Sequence, residues 1–230
     1  VTFSAGFRTG KRRHLVRVSC SVLLRLADDD RYVLFDSPKR PGAYGPPGGV
    51  IKIHPPAAGL LESWGFQPER TTVGAEKMRA DLRGTLPAGA LRPFQAWFAT
   101  NSYRETAGEC LLRELREELS EVGLGALEPL TRSLVFSPVR TVREGPAPVP
   151  GKPYLQVRNF EVYDLALLSP DALRLRRELV DAGHDESRPG AICANFGDIA
   201  HGRLRAALIA PHSAFLAGPE RLAADLPPVR

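Results

Sequence analysis

The chain has 230 residues, of which 43% are hydrophobic and 25% charged, the balance of an ordinary soluble globular protein with room for one sizeable core. No apolar run reaches the roughly 18–20 residues that cross a bilayer, and the basic start, residues 1–14, lacks the apolar stretch of a secretory signal. Cys20, Cys110 and Cys193 are too far apart for a zinc motif and odd in number, which excludes a disulfide framework; they are read as buried thiols in a reducing cytoplasm. The net charge of +5 and pI of about 9.4 favour an anionic partner, against which a cluster of carboxylates in one short helix stands out.

In chain order, residues 15–26 are rich in Val and Leu and partly alternate, which predicts a strand. Asp28-Asp29-Asp30 is a turn, and residues 31–35 return as the second strand of a hairpin. Residues 38–49 read as a Pro/Gly-rich loop ending in Pro46-Pro47-Gly48-Gly49, followed by a short strand over 50–53. A short helix is expected over 60–66, a strand over 81–86 and another short helix over 91–98. The strongest helix of the chain covers residues 106–122. Two strands are expected over 133–142 and 154–168. Ser169 caps a helix that has Pro170 at its first position and runs to about residue 182. A last strand over 191–196 and a helix over 203–217, interrupted near Pro211, complete a mixed α/β pattern. No internal repeat or low-complexity linker divides the chain, so residues 1–230 read as one domain.

The helix over 106–122 carries Glu114, Glu117, Glu118 and Glu121 on one stripe, because residues three and four apart share a helical face. Leu111, Leu112, Leu115, Leu119 and Val122 form the core-facing side. A solvated face would interleave Glu with Arg, as Glu109–Arg113 and Arg113–Glu117 do. Glu114–Glu118 and Glu117–Glu121 are instead like-charge pairs, each costing about 0.2–0.5 kcal/mol. A divalent cation would reverse that repulsion: Mg²⁺ and Mn²⁺ take hard oxygen ligands and bridge to substrate phosphate. A solvated face and a metal edge thus remain the two readings of the stripe by itself.

Glu105 followed at the right spacing by Arg113-Glu114-Leu115-Arg116-Glu117-Glu118 resembles the core of the Nudix box, GX5EX7REUXEEXGU with U aliphatic. The leading Gly of that pattern falls on Ala99 and the trailing pair on Ser120-Glu121, with Gly123-Leu124 close behind. Pro47-Gly48-Gly49 resembles the PGG segment that precedes the box, so residues 52–104 read as an insertion that splits it. Lys39-Arg40-Pro41-Gly42-Ala43-Tyr44, Asp81-Leu82-Arg83, Phe94-Gln95-Ala96-Trp97-Phe98 and Arg104-Glu105 then follow in an order similar to that of SMODS-associated NUDIX domains of bacterial antiphage (CBASS) operons. The resemblance runs from about Val16 to Glu121 and continues more weakly to His212. It implies a Nudix-like α/β/α sandwich with a mixed sheet and an insertion between the PGG strand and the Nudix helix.

For the site, the resemblance implies Mg²⁺ or Mn²⁺ as cofactor. Glu117 and Glu118 would be metal ligands, Glu114 a third ligand or the base, and Gly49 a backbone carbonyl ligand. Glu105 and Arg113 would form a structural ion pair. Arg17, Lys39, Arg40, Lys52 and Arg83 are candidates for phosphate contacts and Tyr44 for stacking a base, while Trp97 and Phe98 read as core. His54 sits near the PGG strand; the other histidines show no pairing. Glu161 or Asp164, on a late strand, could add a ligand. With no serine elbow, P-loop, Cys/His nucleophile pattern, helix-turn-helix or zinc finger, acyl transfer and specific nucleic-acid recognition drop out. Two functions remain. One is metal-dependent hydrolysis of a nucleotide-derived phosphoanhydride. The other is a cytoplasmic sensor domain that binds a nucleotide or cyclic oligonucleotide and responds by self-association, with a homodimer as the simplest form.

Overall fold

The structure, a computed structural model, describes residues 15–69 and 80–227. Its elements in chain order are β1 (Leu15–Arg25), β2 (Ala27–Asp28), β3 (Arg31–Ser37), β4 (Arg40–Gly45), β5 (Gly48–Val50), α1 (Pro55–Ser63), β6 (Gln67–Pro68), β7 (Arg83–Pro87), α2 (Leu91–Phe98), α3 (Ala107–Glu121), β8 (Val135–Pro148), β9 (Tyr154–Ala166), α4 (Pro170–His184), β10 (Ala191–Asn195), α5 (Phe196–His201), β11 (Arg203–Leu204), β12 (Ala207–Ile209) and α6 (Ala214–Ala217). They build two mixed sheets. The first has the order β6-β7-β1-β9-β8 with β5 also on β1, and the second the order β10-β3-β4-β12-β11 with β2 on β3.

Strand β1 organises the first sheet. One edge pairs antiparallel with β7 from Leu15↔Pro87 to Ser19↔Arg83, then with β5 from Ser21↔Val50 to Leu23↔Gly48. The other edge runs parallel to β9 along its whole length. Side chains alternate across a strand, so Val16, Val18, Cys20, Val22 and Leu24 all enter one core beneath α1–α4. Helix α3 meets that core with Cys110, Leu111, Leu115 and Leu119, none more than 1% exposed. A second core joins Leu23, Leu34, Tyr44, Phe160 and Val162 to Phe215 and Leu216 of α6.

The chain leaves β5 at Lys52 and returns to it at Glu105, whose amide donates to the Lys52 carbonyl at 2.8 Å. Lys52 bridges Asp81 and Ile53 bridges Arg104, so the excursion through α1, β7 and α2 begins and ends beside the PGG strand. Helix α2 spans the residues expected of it, and its Phe94, Trp97 and Phe98 are buried.

Three local expectations change. The segment over 38–49 holds two strands instead of a loop: β4 pairs antiparallel with β3 and parallel with β12. Its Pro and Gly content hid a local hairpin with β3 and a remote pairing with β12. Helix α1 starts at Pro55, with prolines in its first turn where no intrahelical N–H is needed. The helix expected over 203–217 is replaced by the β11–β12 hairpin, a 3-10 turn over Pro211–Ser213 and the short α6. A short apolar run fits either period, and here the free edge of β4 decided for strand. Helix α5 before it, capped reciprocally by Asn195 and Asp198, was absent from the expectations.

Candidate functional site

Helix α3 begins at a fixed residue. Thr106 Oγ1 accepts from the Glu109 amide at 3.2 Å, and the Glu109 carboxylate accepts from the Thr106 amide at 2.7 Å, a reciprocal cap that satisfies two otherwise orphaned donors. With Leu111, Leu115 and Leu119 buried, the helix rotation is fixed. Glu114, Glu117, Glu118 and Glu121 then line a cleft of about 860 Å³, bounded also by Gly48 and Gly49.

Two of these carboxylates are held by the PGG strand. Glu118 Oε2 accepts from the Gly48 amide at 2.8 Å. Burial drives its carboxyl well above the usual carboxylate range, the Gly48 amide opposes that, and Glu114, Glu121 and Glu117 add to it. Glu114 packs directly on the Gly49 backbone: a Cβ built there would fall 2.2 Å from its carboxyl carbon. Gly48 has a φ of +128°, and a Cβ on it would meet the Val22 carbonyl oxygen at 2.3 Å. Gly48 is thus required by the backbone, whereas at Gly49 the obstacle is the end of the Glu114 side chain.

Arg113 ties the helix to the strand. Its Nε and Nη2 donate to Glu105 Oε1 and Oε2 at 2.7 and 2.8 Å, Nη1 to Glu114 Oε1 at 2.6 Å and Nη2 to the Val50 carbonyl at 3.0 Å. Burial lowers the guanidinium pKa, but the Glu105 and Glu114 carboxylates more than offset it, and the net direction is up. Burial likewise raises Glu105, yet Arg113 and the Lys52 amide carry it below its ordinary value. A bidentate pair of this kind holds geometry as well as charge.

Lys39, Arg40, Lys52 and Arg83 line the same cleft as the carboxylates. Arg40 Nη1 also donates to the Pro227 carbonyl at 2.6 Å. Asp81 lies between Lys52 and Arg83; burial raises its pKa against both neighbouring cations. Phe160 and His212 complete the lining, their rings parallel within 5° at 6.0 Å. Burial, then the Arg221 charge, pulls the His212 imidazole down to about 4.

Several expected residues stand elsewhere. Arg17 Nη2 donates to Glu69 at 2.7 Å and is outside the cleft lining. Tyr44 is 7% exposed and donates its hydroxyl to the Pro189 carbonyl at 2.6 Å, so its ring packs in the second core instead of facing a ligand. His54 is exposed at the N-terminus of α1. Asp164 pairs with Arg25 at 2.7 Å, and Glu161 with buried Arg104; neither lines this cleft. Asp81, Phe160 and His212 carried no spacing signal, since each reaches the cleft by long-range pairing or packing.

Among the described residues, no group of three or more His, Cys, Asp or Glu is gathered tightly enough to grip a metal ion. Glu118 is turned onto Gly48, and Glu114 onto Arg113. The donor chemistry nevertheless fits a hard divalent cation: the carboxylates of the helical edge offer oxygen donors, and burial first, then the neighbouring Glu114, Glu121 and Glu117 charges, raise Glu118. The Gly49 carbonyl, beside this edge, accepts from Cys110 Sγ at 3.7 Å.

A family model described as the SMODS-associated NUDIX domain matches residues 15–217. No curated protein and no solved structure matches the chain.

Proposed function

The chain belongs to the SMODS-associated NUDIX domain family, and from its cleft we propose a protein that binds a phosphate-bearing nucleotide with a divalent metal and hydrolyses its phosphoanhydride. The observation that carries this reading is the meeting, inside one cleft of about 860 Å³, of the α3 carboxylates with Lys39, Arg40, Lys52 and Arg83. Carboxylates alone would repel phosphate and cations alone would need no acidic edge; a metal–phosphate pair satisfies both.

In this reading Glu117 and Glu118 hold Mg²⁺ or Mn²⁺, with Glu114 as third ligand or base and the Gly49 carbonyl beside them. The ion would supply neutralisation of phosphate charge and acidification of the attacking water. Lys39, Arg40 and Arg83 orient the phosphate chain, Arg by its planar fork and Lys as a point charge. Arg113 holds Glu105 and Glu114 in place and takes no part in the chemistry. Lys52, Asp81 and Arg83 border the same pocket.

The family supports a second reading. SMODS-associated NUDIX domains are the type expected to sense a nucleotide second messenger, and the cleft volume admits more than a mononucleotide. The same walls would then bind a cyclic oligonucleotide, with self-association as the response. A screen of nucleotides and cyclic oligonucleotides with and without Mg²⁺ or Mn²⁺, following thermal shift and product together, separates the two. Products that require metal support hydrolysis; stabilisation without products supports sensing; neither in any condition overturns both. In a Glu117→Gln/Glu118→Gln double variant, Mn²⁺ binding should vanish in titration calorimetry while the fold remains, and unchanged Mn²⁺ affinity would remove these residues from the metal site.

A further inference from the structure

Strand β9 presents its residues alternately to the two faces of its sheet. Asn159, Glu161 and Tyr163 line a smaller cleft of about 340 Å³, together with Arg143 of β8, Arg104 and the first turn of α3 at Ala107 and Gly108. Arg104 there spends its donors on Phe98, Glu105, Asn101 and Glu161, and the Glu109 carboxylate accepts from the Thr106 amide at the start of α3. Phe160 faces the other way and lines the acidic cleft.

Around Phe160 the acidic cleft changes character. The parallel ring of His212 lies beside it. His212 Nε2 is 3.4 Å from where a Cβ on Gly45 would stand, and Ala210 Cβ is equally near that point. Gly45 pairs with Phe35 across the β3–β4 ladder. Ala43 shares the Gly45 face of β4, because alternate residues do, while Tyr44 turns into the second core. Phe35, Ala43, Gly45, Phe160, Ala210 and His212 all line the cleft. None of the six carries a charge at neutral pH, since burial, then Arg221, holds the His212 imidazole at about 4.

Three features make this end a receptor. The φ of Gly45 lies outside the left-handed region, so its backbone does not require glycine; the missing side chain leaves the Nε2 edge of His212 uncovered. No hydrogen bond engages the His212 nitrogens among the described residues, yet they are reachable: the sealed side-chain atoms without a partner belong to Trp97, Asn159 and Ser213. The charges that act on His212 are mutually paired, Arg221 with Glu144 and Arg158 with Asp225, so none is left there to draw an anion. A neutral imidazole offers one donor and one acceptor. An uncharged planar group with a hydrogen-bonding edge suits that set, and a nucleobase is such a group, read by its edge and packed by its face.

The spacing agrees. Gly45 and Gly48 are three residues apart, so at most about 11 Å of chain separates this end from the Gly48 amide that holds Glu118. A ribose and a diphosphate bridge such a span.

We propose that the end of the acidic cleft at Gly45, Ala210 and His212 receives the nucleobase of the ligand, with His212 bonding to the edge of the base and so determining which base is taken. The inference rests on the metal–phosphate reading of the same cleft and adds which end holds the base. It also supplies the base contact that Tyr44, turned into the second core, does not make.

The test is calorimetric titration of the whole chain, with Mn²⁺ present, by the α,β-methylene analogues of ADP, GDP, CDP and UDP, which resist hydrolysis, and by methylenediphosphonate, which has no base. One analogue should bind wild type at least ten-fold more tightly than methylenediphosphonate. His212→Phe, which keeps a flat ring without the hydrogen bonds, and Gly45→Ala, which covers the Nε2 edge, should each lose that preference and still bind methylenediphosphonate like wild type, a sign that the cleft is intact. Analogues that bind wild type no more tightly than methylenediphosphonate overturn the base site and leave the phosphate site standing. Variants that keep the wild-type preference overturn it as well. A nucleotide that binds where methylenediphosphonate does not, with the preference lost in both variants, supports the base site and removes the metal–phosphate reading. Binding of neither overturns both.

Discussion

The two clefts occupy opposite faces of one strand and are built by opposite means. The larger draws its character from a single helix: four carboxylates at helical spacing, with cations brought into the same cleft by the sheet. The smaller draws on α2, the Arg104 loop, the start of α3, β8 and β9, and no two of its charged residues share a local pattern. The larger has an anionic wall whose repulsion a cation would relieve. The smaller balances Arg104 and Arg143 against Glu161 and the capping Glu109. Arg104 and Glu105 separate them: the first is fixed in the wall of the smaller cleft, while the second fastens Arg113 in the larger. Adjacent residues thus serve opposite faces, and the comparison teaches that the turn into α3 is where the two sites meet.

The largest effect should come from cutting that shared anchor. Arg113→Met leaves the Glu105 and Glu114 carboxylates, 11% and 18% exposed, without their cation. Breaking one partner from a buried pair costs roughly 3–5 kcal/mol, so denaturant unfolding should show a loss of about 4 kcal/mol. A loss under 1 kcal/mol would mean the turn is held by packing and the clefts are not joined through it.

The clefts should also differ in their response to acid, because His212 belongs only to the larger. Burial holds its imidazole at about 4, against about 6.5 in an unfolded chain. Between those values the unfolded state binds more protons, so stability rises with pH across the window and falls as pH drops from 6.5 through 4. Each pKa unit is worth about 1.4 kcal/mol, which bounds the His212 contribution at roughly 3 kcal/mol. Thermal melts of His212→Gln across pH 4 to 7 should be flatter than those of wild type. Parallel profiles would locate the acid sensitivity elsewhere.

Gly48 and Gly49 sharpen the contrast within the larger cleft. Gly48→Ala sets a side chain against the Val22 carbonyl at a positive φ, a backbone strain of about 2 kcal/mol that should appear as a lower Tm. Gly49→Ala meets only the end of the Glu114 side chain, which can swing away. Its stability should change by less than about 1 kcal/mol, while Mn²⁺ affinity in calorimetry falls. Equal destabilisation by both would show that Glu114 is as rigid as the backbone.

The smallest effect belongs to the other cleft. Gly108 sits in the first turn of α3, and a Cβ there would come no nearer than 4.0 Å to Phe136. Gly108→Ala should stabilise the fold by roughly 0.5 kcal/mol, read as a higher Tm, and leave Mn²⁺ binding unchanged. A loss of Mn²⁺ affinity would show that the clefts are coupled through the helix.

Much of the first cleft was legible before any coordinates. The Glu114–Glu121 stripe sets one face and Leu111–Leu119 the other, because i, i+3 and i+4 relations are local and the chain carries them in plain order; the reciprocal cap of Thr106 and Glu109 came only with the structure. The even-numbered apolar residues of β1 were equally readable. Tyr44 was misplaced because a residue in a Gly/Pro-rich segment looks exposed until β12 closes over the neighbouring strand. Arg17 was misplaced because Glu69, its partner, is remote in the chain.

What the sequence by itself determined is the family pattern, the acidic helix, and the α/β alternation of most of the chain. Only the tertiary structure decided that Lys52 and Asp81 stand together at the mouth of the larger cleft, that the segment after α5 pairs as strands, and that Phe160 and its neighbours Asn159 and Glu161 face different sites. The reason is physical. A helix face is fixed by hydrogen bonds four residues long, whereas a sheet and the pockets on its two faces are fixed by pairings such as Ser21↔Val50 and Ser21↔Phe160, whose partners no local spacing can name.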